Sequence, residues 1–573
     1  MPNARAYILC TAILLGFALV GVRLGDLMLF EHDSMSEKAR FQRLKNIQLK
    51  AGRGIIYDRR GRELAVNVEA FSVYSDPSKV VDPEATARVL SDATGREYKS
   101  LLRSLRSDKR FVWIARKLDK ALAEPLMKRD IPGIGFVSEL KRYYPKGSLA
   151  SHVVGFVGVD NQPLEGIELE YDEVLRGEEQ KVVLIRDAGG RTLSEGVDVE
   201  IGARSVMLTV DEGLQYIVEQ ELRTGIEKWS ASAGSAIMMD PFTGEILAMA
   251  NYPLYNLNDA GASNASDRRN RALIDPYEPG STFKVVTASA VLEEGVASFD
   301  TMVDASKGYI DVAGMRIWDT KNKGVLAFKD VIKTSSNVGT ILVGQRLQPA
   351  DLYGYIKRLG FGERSGIDLP GENPGLVRNV SDWSETSQAA VSIGYEVAVT
   401  PLQILRAYSA IANGGILVRP RVVADVLTPE GISIHRFDIP GSETGERVFS
   451  HSTAEKLRQV LVSVTETGGT AESASIDGNL VAGKTGTTKL IDPETGAYSK
   501  EKYVSSFVGF VPADNPRLAM IVVIYEPQGR YYGGTVAAPV FRSIADQSLA
   551  YLNVPRDDSI MDNVLLVQKR QGS

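Results

Sequence analysis

The chain has 573 residues, 44% apolar and 24% charged, with a net charge of −6. That composition is globular, long enough for several domains, and it excludes a disordered polymer and a broad nucleic-acid surface. A single cysteine, Cys10, and four scattered histidines, His32, His152, His435 and His451, exclude an internal disulfide, a thiolate metal cluster and a histidine-based triad, so neither metal nor cofactor is expected.

In chain order, residues 1–5 are a short tail. Ala6 to Val22 carries no charge and would span roughly 26 Å as a helix, against ~30 Å for a hydrocarbon core. Arg23 can snorkel to the interface, with Leu24, Leu27, Met28, Leu29 and Phe30 continuing the apolar character. No small-x-small cleavage site follows in Gly21-Val22-Arg23-Leu24-Gly25-Asp26, so residues 6–24 read as an uncleaved single-pass anchor rather than a signal peptide. Arg5 on one flank and Arg23, Lys38 and Arg40 on the other leave its orientation open. Residues 25–50 read as a polar, partly helical stalk. Residues 51–204 are turn-rich with short apolar alternations such as Phe71-Ser72-Val73-Tyr74, an irregular α+β module.

From 205 to 554 the pattern sharpens into a larger domain. Gly234–Asp240 and Glu245–Asn251 read as strands joined by the turn Pro241-Phe-Thr-Gly244, and Val504–Val511 and Leu518–Tyr525 flank Pro512–Pro516 as a second hairpin. Thr400 and Gln403 make a capping box, Pro401 suits the first helical position, and Asn413-Gly414-Gly415 ends the helix. Strands at both ends with mainly helical stretches between them predict an α+β fold: one antiparallel sheet completed by the late hairpin, with a helical subdomain inserted. Residues 555–573 read as a flexible tail.

Three motifs carry chemistry. Ser281-Thr-Phe-Lys284, before a helix-compatible run ending at Gly295, puts serine and lysine on one face near a helix N-terminus, whose free N–H groups can hold an oxyanion. A serine hydroxyl needs such a neighbouring base, and burial beside a second cation would make the lysine neutral. Ser335-Ser336-Asn337 can place a hydroxyl and an amide in a cleft. Lys484-Thr485-Gly486-Thr487 reads as an edge strand: its backbone can pair with an extended peptide, Gly486 permits close approach, and the threonine hydroxyls can bind a carboxylate. Each motif alone has an ordinary reading as a turn, cap or strand. Ser499-x-x-Lys502 repeats the first spacing among charged neighbours and reads as a solvated loop. The ordered triplet, with intervals of 54 and 149 residues, is specific.

The whole chain resembles a class B penicillin-binding protein. Beyond the triplet, the resemblance rests on Arg53-Gly54-Ile55-Ile56-Tyr57-Asp58-Arg59-Arg60-Gly61, Arg142-Tyr143-Tyr144-Pro145, Gly166-Ile167-Glu168, Ile393-Gly394-Tyr395 and Thr535 to Phe541. It implies a non-catalytic pedestal, or dimerisation-like, domain over 51–204. It implies a transpeptidase domain over 205–554, with a five-stranded antiparallel sheet, helices on both faces and an all-helical lobe. It also implies an inner-membrane anchor with the catalytic domain in the periplasm, and acyl transfer on peptidoglycan stem peptides. In that scheme Ser281 is the nucleophile and Lys284 its base. Ser335 relays a proton to the leaving D-alanine, Asn337 holds the peptide amide and Lys484 tunes the proton network. Thr485 and Thr487 bind the terminal carboxylate beside Gly486, and the N–H groups of Ser281 and Thr487 form the oxyanion hole. β-Lactams would acylate Ser281. Overall pattern points to the division type, with a membrane glycosyltransferase and other division proteins as partners. The alternatives are an elongation-type enzyme, a D,D-carboxypeptidase, a β-lactamase or β-lactam sensor, and a non-enzymatic scaffold. A class A β-lactamase would need a Glu-x-x-Leu-Asn between the second and third motifs, and Glu372-Asn373-Pro374 does not supply it.

Overall fold

The computed structural model describes residues 8–9, 11–21, 44–49, 52–177, 180–186, 192–193, 203–436, 445–492 and 495–556. It divides into two units, residues 1–52 with 176–203 and residues 53–175 with 204–573. In the first, residues 8–9 and 11–21 are helical, with Ile8, Leu14, Phe17 and Leu19 exposed. No helix among the described residues is long and apolar enough to cross a membrane. Leu44–Leu49 is a strand paired antiparallel with Gln180–Arg186, so this part of the expected helical stalk takes its backbone partners from a distant strand. The expected tail beyond 556 lies outside the described residues.

The second unit begins with a smaller lobe. Its long strand β1 (Glu63–Ser75) pairs on its two edges with β2 (Val112–Asp119) and β3 (Ile134–Tyr143). Helices α1 (Pro83–Thr94) and α2 (Tyr98–Leu105) close a small core around Val73, Leu90, Leu101 and Ile114. Asp82 caps α1 through Ala85 N, and Pro83 follows at the first helical position. The sheet runs on through Ile56–Tyr57 and Ser205–Leu208 to Val423–Leu427 and Ser433–Arg436, so seven strands tie this lobe to the larger one.

The larger lobe is built on β4 (Ala233–Met239), β5 (Ile246–Tyr252), β8 (Ala482–Ile491), β9 (Tyr498–Val511) and β10 (Leu518–Tyr525), antiparallel in the order β5-β4-β10-β9-β8. A short hairpin of β6 (Tyr309–Val312) and β7 (Met315–Trp318) stands apart from this sheet. Alternate residues of β4 enter different cores. Ala236 and Met238 pack with Leu214, Val218, Ile544 and Leu549 of α3 (Glu212–Lys228) and α7 (Ala538–Tyr551). Ile237 and Met239 join the core that holds α4 (Lys284–Glu293) and α6 (Pro401–Ala412). Burial on both faces is why these strands read as continuous apolar runs rather than as alternation.

The α6 capping box forms as expected, Thr400 accepting from Gln403 N while Gln403 Oε1 accepts from Thr400 N. Both expected hairpins form, but β9 starts at Tyr498. Ser499 and Lys502 therefore lie on an outlying strand end rather than in a loop. Lys502 is exposed and pairs with Glu526. The stretch between the hairpins is less helical than expected: residues 302–327 form two two-stranded ladders, β6 with β7 and Met302–Ala305 with Gly324–Ala327.

Candidate active site

The turn that carries Ser281 is assembled by close backbone approach. Ser281 sits in a 3₁₀ turn, Gly280–Phe283, and the α-helix starts only at Lys284. The serine thus precedes α4 instead of standing within it. Gly280 (φ +54°) donates to Gly394 O at 3.0 Å, and a Cβ on Gly394 would lie 2.3 Å from Gly280 O. Thr282 Oγ1 donates to Pro279 O at 2.8 Å, Phe283 is buried against Phe361, and Tyr408 of α6 donates its phenol to Thr282 O at 2.9 Å.

Lys284 is fully buried one turn on. Its Nζ donates to Ser335 O at 2.8 Å, Asn337 Oδ1 at 2.8 Å and Ser335 Oγ at 3.3 Å. Burial pushes its amine well below the usual lysine range; the charges of Lys484 and Lys323 push the same way, and Asp319 opposes them. Ser335 is held at φ +58°, a strained conformation for a residue with a Cβ. Asn337 opens α5 (Asn337–Gly344), and the buried Ser336 is its cap, accepting from Gly339 N. Asn337 Nδ2 donates to Trp318 O at 3.1 Å, which fixes the amide orientation.

Asp319 binds this segment from outside the motif. Its carboxylate accepts from Ser336 Oγ at 2.6 Å, Val338 N at 3.2 Å and Asn337 N, favourable contacts at a helix N-terminus.

β8 is the edge strand of the five-stranded sheet, as expected. Thr485 and Thr487, two apart on one face, line the cavity. Thr485 Oγ1 lies 3.1 Å from Thr470 Oγ1, and Thr487 Oγ1 accepts from Gly533 N at 2.9 Å. Lys484 is fully buried and its amine is pushed down to about 7, first by burial and then by the charge of Lys323. Gly486 needs a different explanation from the one its sequence suggested. A Cβ there would meet Ser506 Oγ at 2.3 Å, Thr282 Cγ2 at 3.0 Å and Pro279 O at 3.1 Å. The missing side chain seats the Ser281 turn on the strand.

Ser281, Ser335, Asn337, Thr485 and Thr487 share one cavity of about 540 Å³, walled also by Tyr395, Thr470, Tyr532 and Gly533 to Thr535. A hydroxyl, a buried amine with depressed basicity and a strand edge around one cavity suit acyl transfer to and from an extended peptide. Among the described residues no cluster of side chains could hold a metal ion. Reasoning from sequence missed Asp319, Thr470, Tyr408 and the wall from Tyr532 to Thr535. Tyr395 and Thr535 lay in stretches noted for resemblance, while Asp319 carried no local signal.

The smaller lobe gathers the remaining noted stretches. Arg53 Nε and Arg142 Nε donate to the two oxygens of the buried Glu168 at 2.8 and 2.6 Å, and Tyr144 OH reaches the same carboxylate at 3.3 Å. A Cβ on Gly54 would lie 1.7 Å from Arg204 O.

Comparison with known proteins places the chain in a family. The family described as penicillin binding protein transpeptidase domain matches residues 234–546, and the penicillin-binding protein dimerisation domain matches residues 48–203. The chain is 34% identical to the peptidoglycan D,D-transpeptidase FtsI of Escherichia coli over 96% of its own length and 92% of that protein. It is 34% identical to the stage V sporulation protein D of Bacillus subtilis, covering 95% and 85%. A crystal structure of penicillin binding protein 3 from Mycobacterium tuberculosis, complexed with aztreonam, superposes with a TM-score of 0.70 at 30% identity, over 89% of this chain and 98% of that one.

Proposed function

The chain belongs to the class B penicillin-binding proteins and is a peptidoglycan D,D-transpeptidase, and from that premise we propose the roles of its residues and its place in the cell. The observation that carries the roles is the buried Lys284 amine, bonded to Ser335 and Asn337 in the cavity that holds Ser281. Ser281 Oγ attacks the carbonyl between the two terminal D-alanines of a stem peptide, and neutral Lys284 takes its proton. The N–H groups of Ser281 and Thr487 hold the oxyanion; losing one such donor typically costs about 10²–10³ in rate. The carbon–nitrogen bond breaks as Ser335 Oγ passes a proton to the departing D-alanine amine. Thr485 and Thr487 bind the terminal carboxylate before it leaves. An amine of a neighbouring stem peptide then attacks the ester, and Ser281 regains its proton through Lys284. Lys484 keeps Lys284 neutral by repulsion. β-Lactams follow the first half of this path and remain on Ser281.

Residues 6–24 anchor the chain in the cytoplasmic membrane with the catalytic lobe in the periplasm. The uncharged run and the exposed apolar side chains of its described helical residues support this. Likeness to FtsI supports a role in septal wall synthesis beside a membrane glycosyltransferase and other division proteins.

Intact-protein mass measurement after incubation with a penicillin, followed by peptide mapping, tests the chemistry. A stable adduct on Ser281 that Ser281→Ala abolishes, with the circular dichroism unchanged, is the expected result. Drug hydrolysed without a lasting adduct would point to a β-lactamase, and unreacted drug to a scaffold.

A further inference from the structure

Beside the catalytic cavity stands an aromatic platform that the transpeptidation steps do not use. In the β6–β7 hairpin, Tyr309 and Trp318 are directly paired across the strands, with ring centroids 5.0 Å apart. The Arg316 guanidinium lies 4.3 Å from the Tyr309 centroid and is held there by two bonds to the Asp311 carboxylate, 2.7 and 3.0 Å. Arg316, Tyr309 and Trp318 therefore form a braced cluster, the two rings tilted by 48° and the guanidinium 5.8 Å from the Trp318 ring. Trp318 is 59% exposed despite its size, so its indole is accessible to a ligand beside the cavity. The hairpin is continuous with the active site: Trp318 O accepts from Asn337 Nδ2, Asp319 caps the same segment, and Thr320 lines the cavity.

We propose that this hairpin is a glycan-docking platform, on which the Trp318 indole stacks against a sugar ring of the strand that carries the stem peptide. The inference rests on the transpeptidase reading and extends it to the carbohydrate half of the substrate. Three physical arguments select this occupant. A pyranose offers a flat C–H face that matches an indole plane, with hydroxyls left free at the rim. A short stem peptide, extended at ~3.3 Å per residue, keeps its sugar within roughly 15 Å of the carbonyl at Ser281. The Arg316–Asp311 brace orders the cluster before binding, which lowers the entropy cost of association.

The test compares two acyl donors on the full-length protein, a muropeptide disaccharide-pentapeptide and the same pentapeptide without sugar. Trp318→Ala is expected to lower kcat/KM about ten-fold for the sugar-bearing donor, through KM. The sugar-free donor should stay within about two-fold, and Trp318→Tyr should keep most of the preference. Arg316→Ala, which loosens the brace and leaves the indole in place, should lower the same preference by a smaller factor. Equal losses on both donors, or no loss on either, overturn the platform. Penicillin labelling of Ser281, run in parallel, separates the two readings. Normal labelling without donor discrimination removes only the platform, and absent labelling of the unaltered protein removes the transpeptidase assignment beneath it.

Discussion

Two regions of this molecule bury cations, and they neutralise them in opposite ways. In the smaller lobe Arg53 and Arg142 share the carboxylate of Glu168, all three almost wholly buried. In the catalytic lobe Lys284 and Lys484 are fully buried, and among the described residues neither forms an ion pair. Arginine cannot shed its proton, so its burial demands a counter-ion. Lysine can, and the repulsion of Lys484 and Lys323 on Lys284 favours that outcome. One arrangement buries charge to hold a fold; the other, in the mechanism proposed above, buries an amine to make it a base.

The largest expected effect comes from removing that base. Lys284→Met should lower acylation by a penicillin about 10²–10⁴-fold while leaving the thermal midpoint unchanged or higher, since an apolar side chain replaces a desolvated amine. A fall in the midpoint would show that Lys284 is structural, as Glu168 is. The mirror experiment is Glu168→Gln, which strands the buried Arg142 guanidinium, leaves Arg53 with Asp172 alone, and should cost about 3–5 kcal/mol of stability. Ser281 in the fraction that remains folded should still label at the unaltered rate. Slower labelling per folded molecule would show that the smaller lobe acts on the active site.

A smaller effect separates the two lysines. The proposed base must be neutral, so acylation should rise with pH as protons leave. Lys484→Gln removes a charge that lowers the basicity of Lys284. The Lys284 amine then holds its proton to higher pH, the rate at neutral pH falls, and the rising limb of the pH–rate profile moves upward. The limb near pH 7 that belongs to Lys484 itself disappears. A profile that keeps its position would remove Lys484 from the proton network.

The same contrast explains what was legible in the sequence. The strands of the five-stranded sheet announced themselves because burial on both faces leaves an apolar run, and α6 because Thr400, Pro401, Gln403 and Gly414 are local signals. That the three motifs meet at one cavity was legible through their order and spacing, although nothing in the first two indicated that Lys284 Nζ would rest on Ser335 and Asn337. Asp319 was invisible because its three bonds reach 17 to 19 residues along the chain. Gly486 was legible as a close approach, but not that the approaching group is the chain's own turn. The strands at 302–327 were missed because four-residue elements carry too little periodicity to stand against neighbouring helix signals.

The smallest effect concerns that turn. Tyr408 reaches across 126 residues of sequence to hold Thr282 O, one residue past Ser281. In the resting structure Lys284 Nζ is bonded to Ser335 and Asn337, so acylation depends on how the turn presents Ser281 to that amine. Tyr408→Phe keeps the ring in its fully buried slot and removes one hydrogen bond, worth about 0.5–1.5 kcal/mol. Acylation should slow roughly three- to ten-fold with the non-covalent affinity for penicillin unchanged. Leu549→Ala, in the core on the other face of the sheet, supplies a variant of lowered stability without contact to the turn. If both variants slow acylation equally at matched loss of thermal midpoint, the phenol supports only the fold. If Tyr408→Phe alone does so, a hydrogen bond outside the cavity sets the geometry of the reaction inside it.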